Sequence, residues 1–348
     1  MSSVPVVISP MEEYFGDISE QAKGGLYYFI ITMFVAATLI STLISAAFLV
    51  ASVVLWSHFR PVRFFWFLTQ LTISVFILSA ANLLINVPAS LSLLSKDVAQ
   101  SGTPPPLLGL ITNVFPAVFN FISYIIDFCH YTIIFSNLVI AIQRGFVFFL
   151  RHLTDKAFDP PIIYIWLGFI WLISLVIEYI LMSSNCRYKY EDREKVFKLK
   201  CEAQSSLVIK KATPVGIQMI ETTLQIGLPI LIFSIYVAII AKILYMRKSS
   251  LNKNEIGILK QAIFVFVIFQ SSSLVFLGAQ VFEISNVAAF LIKRFVNTME
   301  IIAGAATPSF FFFTSKEIRK LISTRVSAAS SSGGSNVQVR GIRTLDGG

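Results

Sequence analysis

Long stretches of apolar residues, separated by short polar segments, dominate the chain. Seven of these stretches reach the roughly 20 residues that a helix needs to cross the hydrocarbon core of a membrane. They are Leu26–Trp56, Phe64–Pro88, Asn113–Ile142, Pro161–Met182, Ile217–Tyr245, Gln261–Phe282 and Val287–Phe313. The pattern predicts an all-α membrane protein, with a seven-transmembrane helix bundle over residues 26–313.

The two ends of the chain have a different pattern. Residues 1–25 are acidic and are predicted to form an extracellular N-terminus, because they contain Glu12, Glu13, Asp17 and Glu20 against a single Lys23. Residues 314–323 place apolar side chains at i, i+3 and i+4, which predicts a short amphipathic helix at the inner interface. Residues 324–348 are rich in Ser and Gly and are predicted to be a disordered cytoplasmic tail.

Composition supports a membrane protein. Of the 348 residues, 55% are hydrophobic and only 14% are charged, whereas a soluble domain carries about 25% charged residues. This deficit excludes ordinary soluble, disordered and fibrous proteins. The net charge of +9 is spread over short loops and the tail. No basic face with interleaved aromatics appears, so no nucleic-acid partner is predicted.

The loop charges predict the orientation of the chain. Lys and Arg are enriched on the cytoplasmic side of membrane proteins, and they favour an extracellular N-terminus and a cytoplasmic C-terminus in the plasma membrane. The long loop 183–216 is the exception, since it is basic yet falls outside. It contains Cys186 and Cys201, and a pair of cysteines suits an oxidising compartment.

Motifs of soluble enzymes are missing from the sequence. There is no phosphate-binding Gly-rich loop, no His-Glu-x-x-His and no Cys-x-x-Cys. The three histidines, His58, His130 and His152, are too scattered for a metal cluster. No enzymatic activity, metal or cofactor is therefore predicted.

Charged residues inside the predicted spans are the candidate ligand-binding groups. A charge in a span costs about 2.5–3.5 kcal/mol on insertion scales and tends to face a cavity or a partner. Asp127 and His130 lie one turn apart on the third span, Glu221 lies in the fifth, and Lys293 and Glu300 share a face of the seventh. All fall in the outer or middle half, which predicts a polar cavity for a small-molecule ligand. Interhelical structural pairs, or positions at the outer boundary of the membrane, are the alternative.

The chain as a whole resembles a known superfamily. Seven spans, an acidic outer N-terminus, Arg144 ending the third span and Pro308 near the end of the seventh resemble the rhodopsin-like receptors. The Phe-rich spans and the junction Ala141-Ile-Gln-Arg144 look most like nematode serpentine chemoreceptors, and among these the class Z group. The resemblance covers residues 26–323.

Three positions match motifs of that superfamily. Arg144 matches the Arg of the Asp-Arg-Tyr motif, although Gln143 and Gly145 replace its neighbours. Thr307-Pro308-Ser-Phe-Phe matches Asn-Pro-x-x-Tyr without its two polar ends, and Pro229 matches the kink proline of the fifth span. The resemblance implies that Arg144 and Pro308 take part in coupling to the G protein.

The third span has no Cys at its outer end for the superfamily's usual bridge. A bridge between Cys186 and Cys201 within the outer loop is predicted instead, and two free thiols are the alternative. The resemblance implies a receptor that binds a small ligand and signals through a heterotrimeric G protein. A transporter or channel is the alternative function, and a membrane-embedded enzyme is a third.

Overall fold

The computed structural model describes residues 24–60, 63–92, 116–184, 186–191, 196–201, 215–245 and 253–314. Helices dominate these ranges. They are α1 (Gly25–Val54), α2 (Trp56–Phe59), α3 (Arg63–Leu84), α4 (Asn86–Ser92), α5 (Pro116–Phe149), α6 (Arg151–Phe158), α7 (Ile162–Ser183), α8 (Val215–Thr222), α9 (Leu228–Tyr245), α10 (Lys253–Val281) and α11 (Asn286–Thr314). A π-helical segment, Thr223–Gly227, joins α8 to α9. Two strands, β1 (Cys186–Glu191) and β2 (Val196–Cys201), form an antiparallel hairpin after α7.

Five of the described helices are long and apolar enough to cross a membrane. They are α1, α3, and α7, together with the parts Tyr124–Phe149 of α5 and Ile263–Val281 of α10. The apolar part of α9, Leu228–Lys242, is shorter. Helix α11 has the length, with 29 residues, but it contains Lys293, Arg294 and Glu300. The predicted membrane protein is therefore supported by five helices, and a count of seven spans stays a prediction.

Small polar residues line the buried face of α1 where it packs on α3. Thr38, Ser41, Ser45 and Ser52 are all buried, and their spacing places them on one side of the helix. The Ser41 and Ser79 hydroxyls share a hydrogen bond of 2.8 Å between the two helices. Thr38 and Ser52 satisfy their hydroxyls on carbonyls one turn back. Small residues let helices approach closely in lipid, where apolar burial provides no driving force for association.

Outward-facing side chains of α7 are large and apolar. Ile165, Leu172 and Tyr179 recur every seven residues and are 67%, 62% and 62% exposed. The opposite side of the helix is buried and includes Ile170 and Ser174. An apolar surface of this kind would be unfavourable in water, whereas lipid tails solvate it. The packing thus agrees with the membrane prediction.

Interhelical contacts distinguish the two ends of the helix bundle. The Arg144 guanidinium lies over the Phe64 ring at 4.9 Å, so the end of α5 lies beside the start of α3. The Trp66 and Tyr164 rings, 5.4 Å apart, add the start of α7 to the same end. We call this the basic end, defined by Arg60, Arg63, Arg144, Arg151 and Lys156. The opposite end holds the starts of α1 and α11 and the end of α7.

Three predicted elements differ from the observed ones. Helix α5 continues to Phe149, so Arg144 lies inside the helix instead of ending it. The predicted fifth span is divided by the π-helical segment. The ring of Pro229 explains this interruption, because a proline lacks the amide donor and clashes with the carbonyl four residues earlier, which here is Gln225 inside the segment. The predicted outer loop 183–216 contains the hairpin, which periodicity did not indicate.

The chain divides into two units, Met1–Ser309 and Phe310–Gly348. Of the second unit, the structure describes only residues 310–314, the last turn of α11. The predicted amphipathic helix and cytoplasmic tail over 314–348 lie outside the described residues except for Thr314. The predicted acidic N-terminus lies outside them except for Gly24 and Gly25.

Candidate functional site

A histidine and a glutamate join α5 and α11 inside the bundle. The Nδ1 atom of His130 lies 3.2 Å from Oε2 of Glu300. The side chain of Glu300 is 15% exposed and that of His130 is 32% exposed. The contact is a hydrogen bond when His130 is neutral and an ion pair when it is protonated. Either form offsets part of the cost of a carboxylate among apolar helices.

The structure brings together only some of the predicted ligand-binding residues. Asp127 precedes His130 by one turn on the same face of α5 and is partly buried. Lys293 lies two turns before Glu300 on α11 and is exposed. Glu221 belongs to α8, one residue before its end, and its side chain lies outside the described part of the structure. The polar centre that the structure supports is therefore the His130–Glu300 pair with Asp127 beside it.

The contact between His130 and Glu300 bears on whether the charged residues in the spans bind a ligand or join two helices. An interhelical pair was the alternative to a ligand cavity, and His130 and Glu300 do form such a pair. The His130 imidazole also keeps about a third of its surface exposed, so the pair is not sealed by its neighbours. Contact with a ligand remains a prediction for these residues.

A buried arginine lies on the same helix and was not identified from the sequence. Arg294 is only 6% exposed, although it is a charged residue near the start of the predicted seventh span. Its guanidinium lies 5.2 Å from the ring centres of both Phe34 and Phe290. Two aromatic faces attract a cation electrostatically, so Arg294 links α1 to α11. Phe290 lies four residues earlier on the same helix face, and this spacing could have indicated a cation–π contact from the sequence.

Arg144 lies at the basic end, on the side of α5 that faces α3 and α9. Besides its contact with Phe64, it interacts electrostatically with Tyr236 of α9, which is buried. Around them, Ala141 of α5 packs with Ile232 and Ile239 of α9. Arg144 therefore contacts α3 and lies near the cluster that joins α5 to α9.

Pro308 lies inside α11, which continues past it to Thr314. Its ring faces the carbonyl of Gly304, four residues earlier, and deprives that carbonyl of a helical hydrogen bond. Gly304 is packed against α3: a Cβ atom built there would lie 2.5 Å from Cγ2 of Val75. The weakened turn of α11 is therefore also a place where this helix packs closely on α3.

The two predicted bridge cysteines occupy opposite positions in the hairpin. Cys186 and Cys201 are Cα partners in the register. Directly opposite residues of an antiparallel pair have Cα atoms about 4.5–5.5 Å apart, within the range that a disulfide spans. Their side chains lie outside the described part of the structure, so the bridge itself stays a prediction that the backbone register favours.

Comparison with known proteins places the chain in one family. A family model described as a protein of unknown function, DUF621, matches residues 16–335. The match covers every helix and strand that the structure describes. No curated protein matches the chain.

Proposed function

We propose that this chain, which belongs to the DUF621 family, is a G protein-coupled chemosensory receptor of the nematode serpentine type. In this proposal it crosses the plasma membrane seven times, with the N-terminus outside and the C-terminus in the cytoplasm. A small molecule binds in the outer half of the bundle, and a heterotrimeric G protein binds at the basic end.

The observation that carries the proposal is the His130–Glu300 pair between α5 and α11. Both side chains offer hydrogen-bonding groups inside a largely apolar bundle, and His130 keeps an exposed surface. A polar ligand that engages either residue competes with the contact between the two helices. Ligand binding would thus change how α5 and α11 pack.

The same helix connects the pair to the proposed signalling end. His130 and Arg144 are fourteen residues apart on α5, or about 21 Å at 1.5 Å per residue. Arg144 contacts α3, and Ala141 one turn earlier packs on α9, so a shift of α5 alters contacts with two other helices. A ligand that binds one arrangement better than another moves the population toward that arrangement.

The weakened backbone elements fit this mechanism. The π-helical segment before α9 and the Gly304–Pro308 turn of α11 each interrupt regular helical hydrogen bonding. Such interruptions allow bending at defined places. The π-helical segment comes directly before α9, which packs on α5 near Arg144. The Gly304–Pro308 turn lies on α11, which contacts His130 through Glu300.

The proposal is tested by screening small molecules on cells that express the full chain, with a second-messenger readout. For an agonist so found, Glu300→Gln should shift the dose–response to higher concentration. The shift should be about tenfold or more if a charged ligand contacts the carboxylate, since a factor of ten corresponds to 1.4 kcal/mol. The matched control is Glu283→Gln, because Glu283 is an exposed acid before α11, and it should leave the response unchanged.

An exchange variant separates a ligand contact from a structural role. The double variant His130→Glu with Glu300→His keeps one imidazole and one carboxylate between the helices. If the pair is only structural, the single variants lose surface expression, the exchange restores it and agonist potency is normal. That result would remove both residues from the site. If they contact the ligand, potency stays low in the exchange variant at normal expression.

A further inference from the structure

Three aromatic rings from three helices meet at the basic end. Trp66 of α3 packs edge to face on Trp56 of α2, with ring centres 4.7 Å apart, and on Tyr164 of α7, at 5.4 Å. Trp66 is only partly exposed, whereas Trp56 and Tyr164 beside it are exposed. The three rings therefore form a shallow groove with Trp66 as its floor, which we call the aromatic groove.

Two arginines border the aromatic groove. The indole N–H of Trp66 donates a hydrogen bond to the carbonyl of Arg60 at 3.1 Å, which fixes the backbone of Arg60 beside the ring. The Arg60 residue is exposed. Arg63 lies less than one turn before Trp66 on α3 and forms an ion pair with Asp159, directly after α6. Asp159 balances one of the two arginine charges, so these three residues leave a net positive charge at the rim of the groove.

Helix α6 adds an exposed cation next to this rim. Its buried side is held in the bundle, because the fully buried Phe158 stacks on Trp166 with ring centres 5.9 Å apart. The Trp166 indole also donates a hydrogen bond to the carbonyl of Ala157 at 3.2 Å. Lys156, on the opposite side of the helix, is exposed and lies three residues before Asp159. Because Asp159 forms its ion pair at the groove, the cationic end of α6 lies close to it.

Exposed apolar side chains continue from the groove along both flanking helices. Val50 and Val53 on α1 are 64% and 77% exposed, and Ile165 and Leu172 on α7 are 67% and 62% exposed. Trp and Tyr concentrate at the two interfaces of a membrane, where their rings sit at the level of the lipid headgroups. The aromatic groove therefore marks the headgroup level, with cations on its solvent side and an apolar surface on its hydrocarbon side. A phospholipid has the matching arrangement, because it joins a charged headgroup to acyl chains.

We propose that the aromatic groove binds one phospholipid with an anionic headgroup. Its phosphate lies against Arg60 and Arg63, since guanidinium groups bind phosphate through parallel hydrogen bonds. The part of an acyl chain nearest the headgroup covers Trp66. A zwitterionic lipid carries no net charge and would not offset the positive rim. Anionic lipids give the cytoplasmic leaflet its negative surface potential, and the basic end is predicted to lie on that side. The proposal depends on insertion into a membrane and not on coupling to a G protein.

Quenching of tryptophan fluorescence by brominated lipids, on the full chain in nanodiscs, tests the proposal. Phosphatidylserine with brominated acyl chains and phosphatidylcholine with the same chains are each titrated into unbrominated phosphatidylcholine. The ratio of their apparent binding constants, serine over choline, should be about fivefold or more, because one cation near an anionic surface contributes roughly that factor. Raising the NaCl concentration to about 0.5 M should lower the ratio, because salt shortens the range of charge interactions.

Single substitutions locate the effect on the rim. Arg60→Gln keeps the backbone carbonyl that accepts from Trp66 and should lower the ratio about fivefold, whereas Arg60→Lys should retain most of it. The matched control is Arg151→Gln, an exposed cation at the other end of α6, which should leave the ratio unchanged. Trp56→Phe should remove much of the excess quenching by the serine lipid. Trp171→Phe, whose indole packs on Phe128 deeper along α7, should not.

Three outcomes would overturn the proposal. A ratio near one in the parent protein would mean that the groove does not select an anionic headgroup. Equal losses in Arg60→Gln and Arg151→Gln would show a diffuse attraction to the whole basic end. Excess quenching that depends on Trp171 as much as on Trp56 would place the lipid elsewhere. If Arg60→Gln fails to fold, Arg60→Lys and the two tryptophan variants still decide the question.

Discussion

Gly304 of α11 offers a sharp test of how closely the helices pack. A Cβ atom at this position would lie 2.5 Å from Cγ2 and 3.3 Å from Cγ1 of Val75. Real Cβ atoms essentially never approach a carbon at 2.5 Å, so Gly304→Ala requires one of the two helices to move. Val75 cannot rotate away easily, because a β-branched side chain has one strongly preferred rotamer in a helix and this one is fully buried.

The expected magnitude combines two opposing terms. Overpacking a well-filled interior costs about 1–3 kcal/mol. Replacing a helical glycine by alanine returns about 0.8–1 kcal/mol of helix propensity. We therefore expect Gly304→Ala to lower the free energy of unfolding by up to about 2 kcal/mol. Val75→Ala in the same chain removes the colliding methyl groups and should recover most of the loss, with a coupling energy in the 0.5–3 kcal/mol range of contacting residues.

Two other helical glycines provide matched controls. A Cβ at Gly145 would lie 3.6 Å from Ile235, an ordinary contact, and one at Gly168 would meet nothing within 4 Å. Thermal unfolding of the detergent-solubilised protein, followed by size-exclusion chromatography with fluorescence detection, compares all four variants. Gly304→Ala should have the lowest midpoint. A midpoint equal to those of the two control variants, or no recovery with Val75→Ala, would refute the close α3–α11 contact.

Three further predictions concern stability and topology. Arg294→Met should lower the thermal midpoint by more than Lys293→Met, because Arg294, unlike Lys293, is buried between two aromatic rings. Equal midpoints would show that the contacts of Arg294 with Phe34 and Phe290 do not stabilise the fold. Mass spectrometry of non-reduced peptides should find Cys186 linked to Cys201, and closing this loop should contribute about 3 kcal/mol to stability; two alkylatable thiols in the folded protein would exclude the bridge. An epitope tag after Ser2 should stain on intact cells and one at the C-terminus only after permeabilisation, whereas the reverse pattern would contradict the proposed orientation.

The apolar pattern predicted the helices well, because long apolar runs carry a strong signal. Five of the seven predicted spans correspond to helices with the length and composition to cross a membrane. The interruption before α9 was missed, although Pro229 was identified. A single proline shows where a helix is weakened, but the way in which the hydrogen bonds rearrange depends on packing.

The candidate site was predictable only in part. The cost of a charge in an apolar helix identified His130 and Glu300, yet periodicity within single helices does not show which helices are neighbours. Arg294 was missed for the same reason. One of the two rings that its guanidinium contacts, Phe34, lies on α1, distant in sequence from α11. The hairpin was missed because its strands are short and rich in Lys and Arg, a composition that resembles a polar loop.

The most direct test of the proposed receptor is nucleotide exchange on heterotrimeric G proteins by the purified chain in nanodiscs, stimulated by the agonist from the cell screen. The proposal predicts that the parent chain accelerates exchange and that Arg144→Ala abolishes the acceleration while agonist affinity changes no more than a few-fold. Exchange that is equal with and without Arg144 would contradict the proposed coupling role. Absence of exchange for every G protein class, together with agonist-dependent ion flux through the chain alone, would contradict the receptor proposal and favour a channel or transporter.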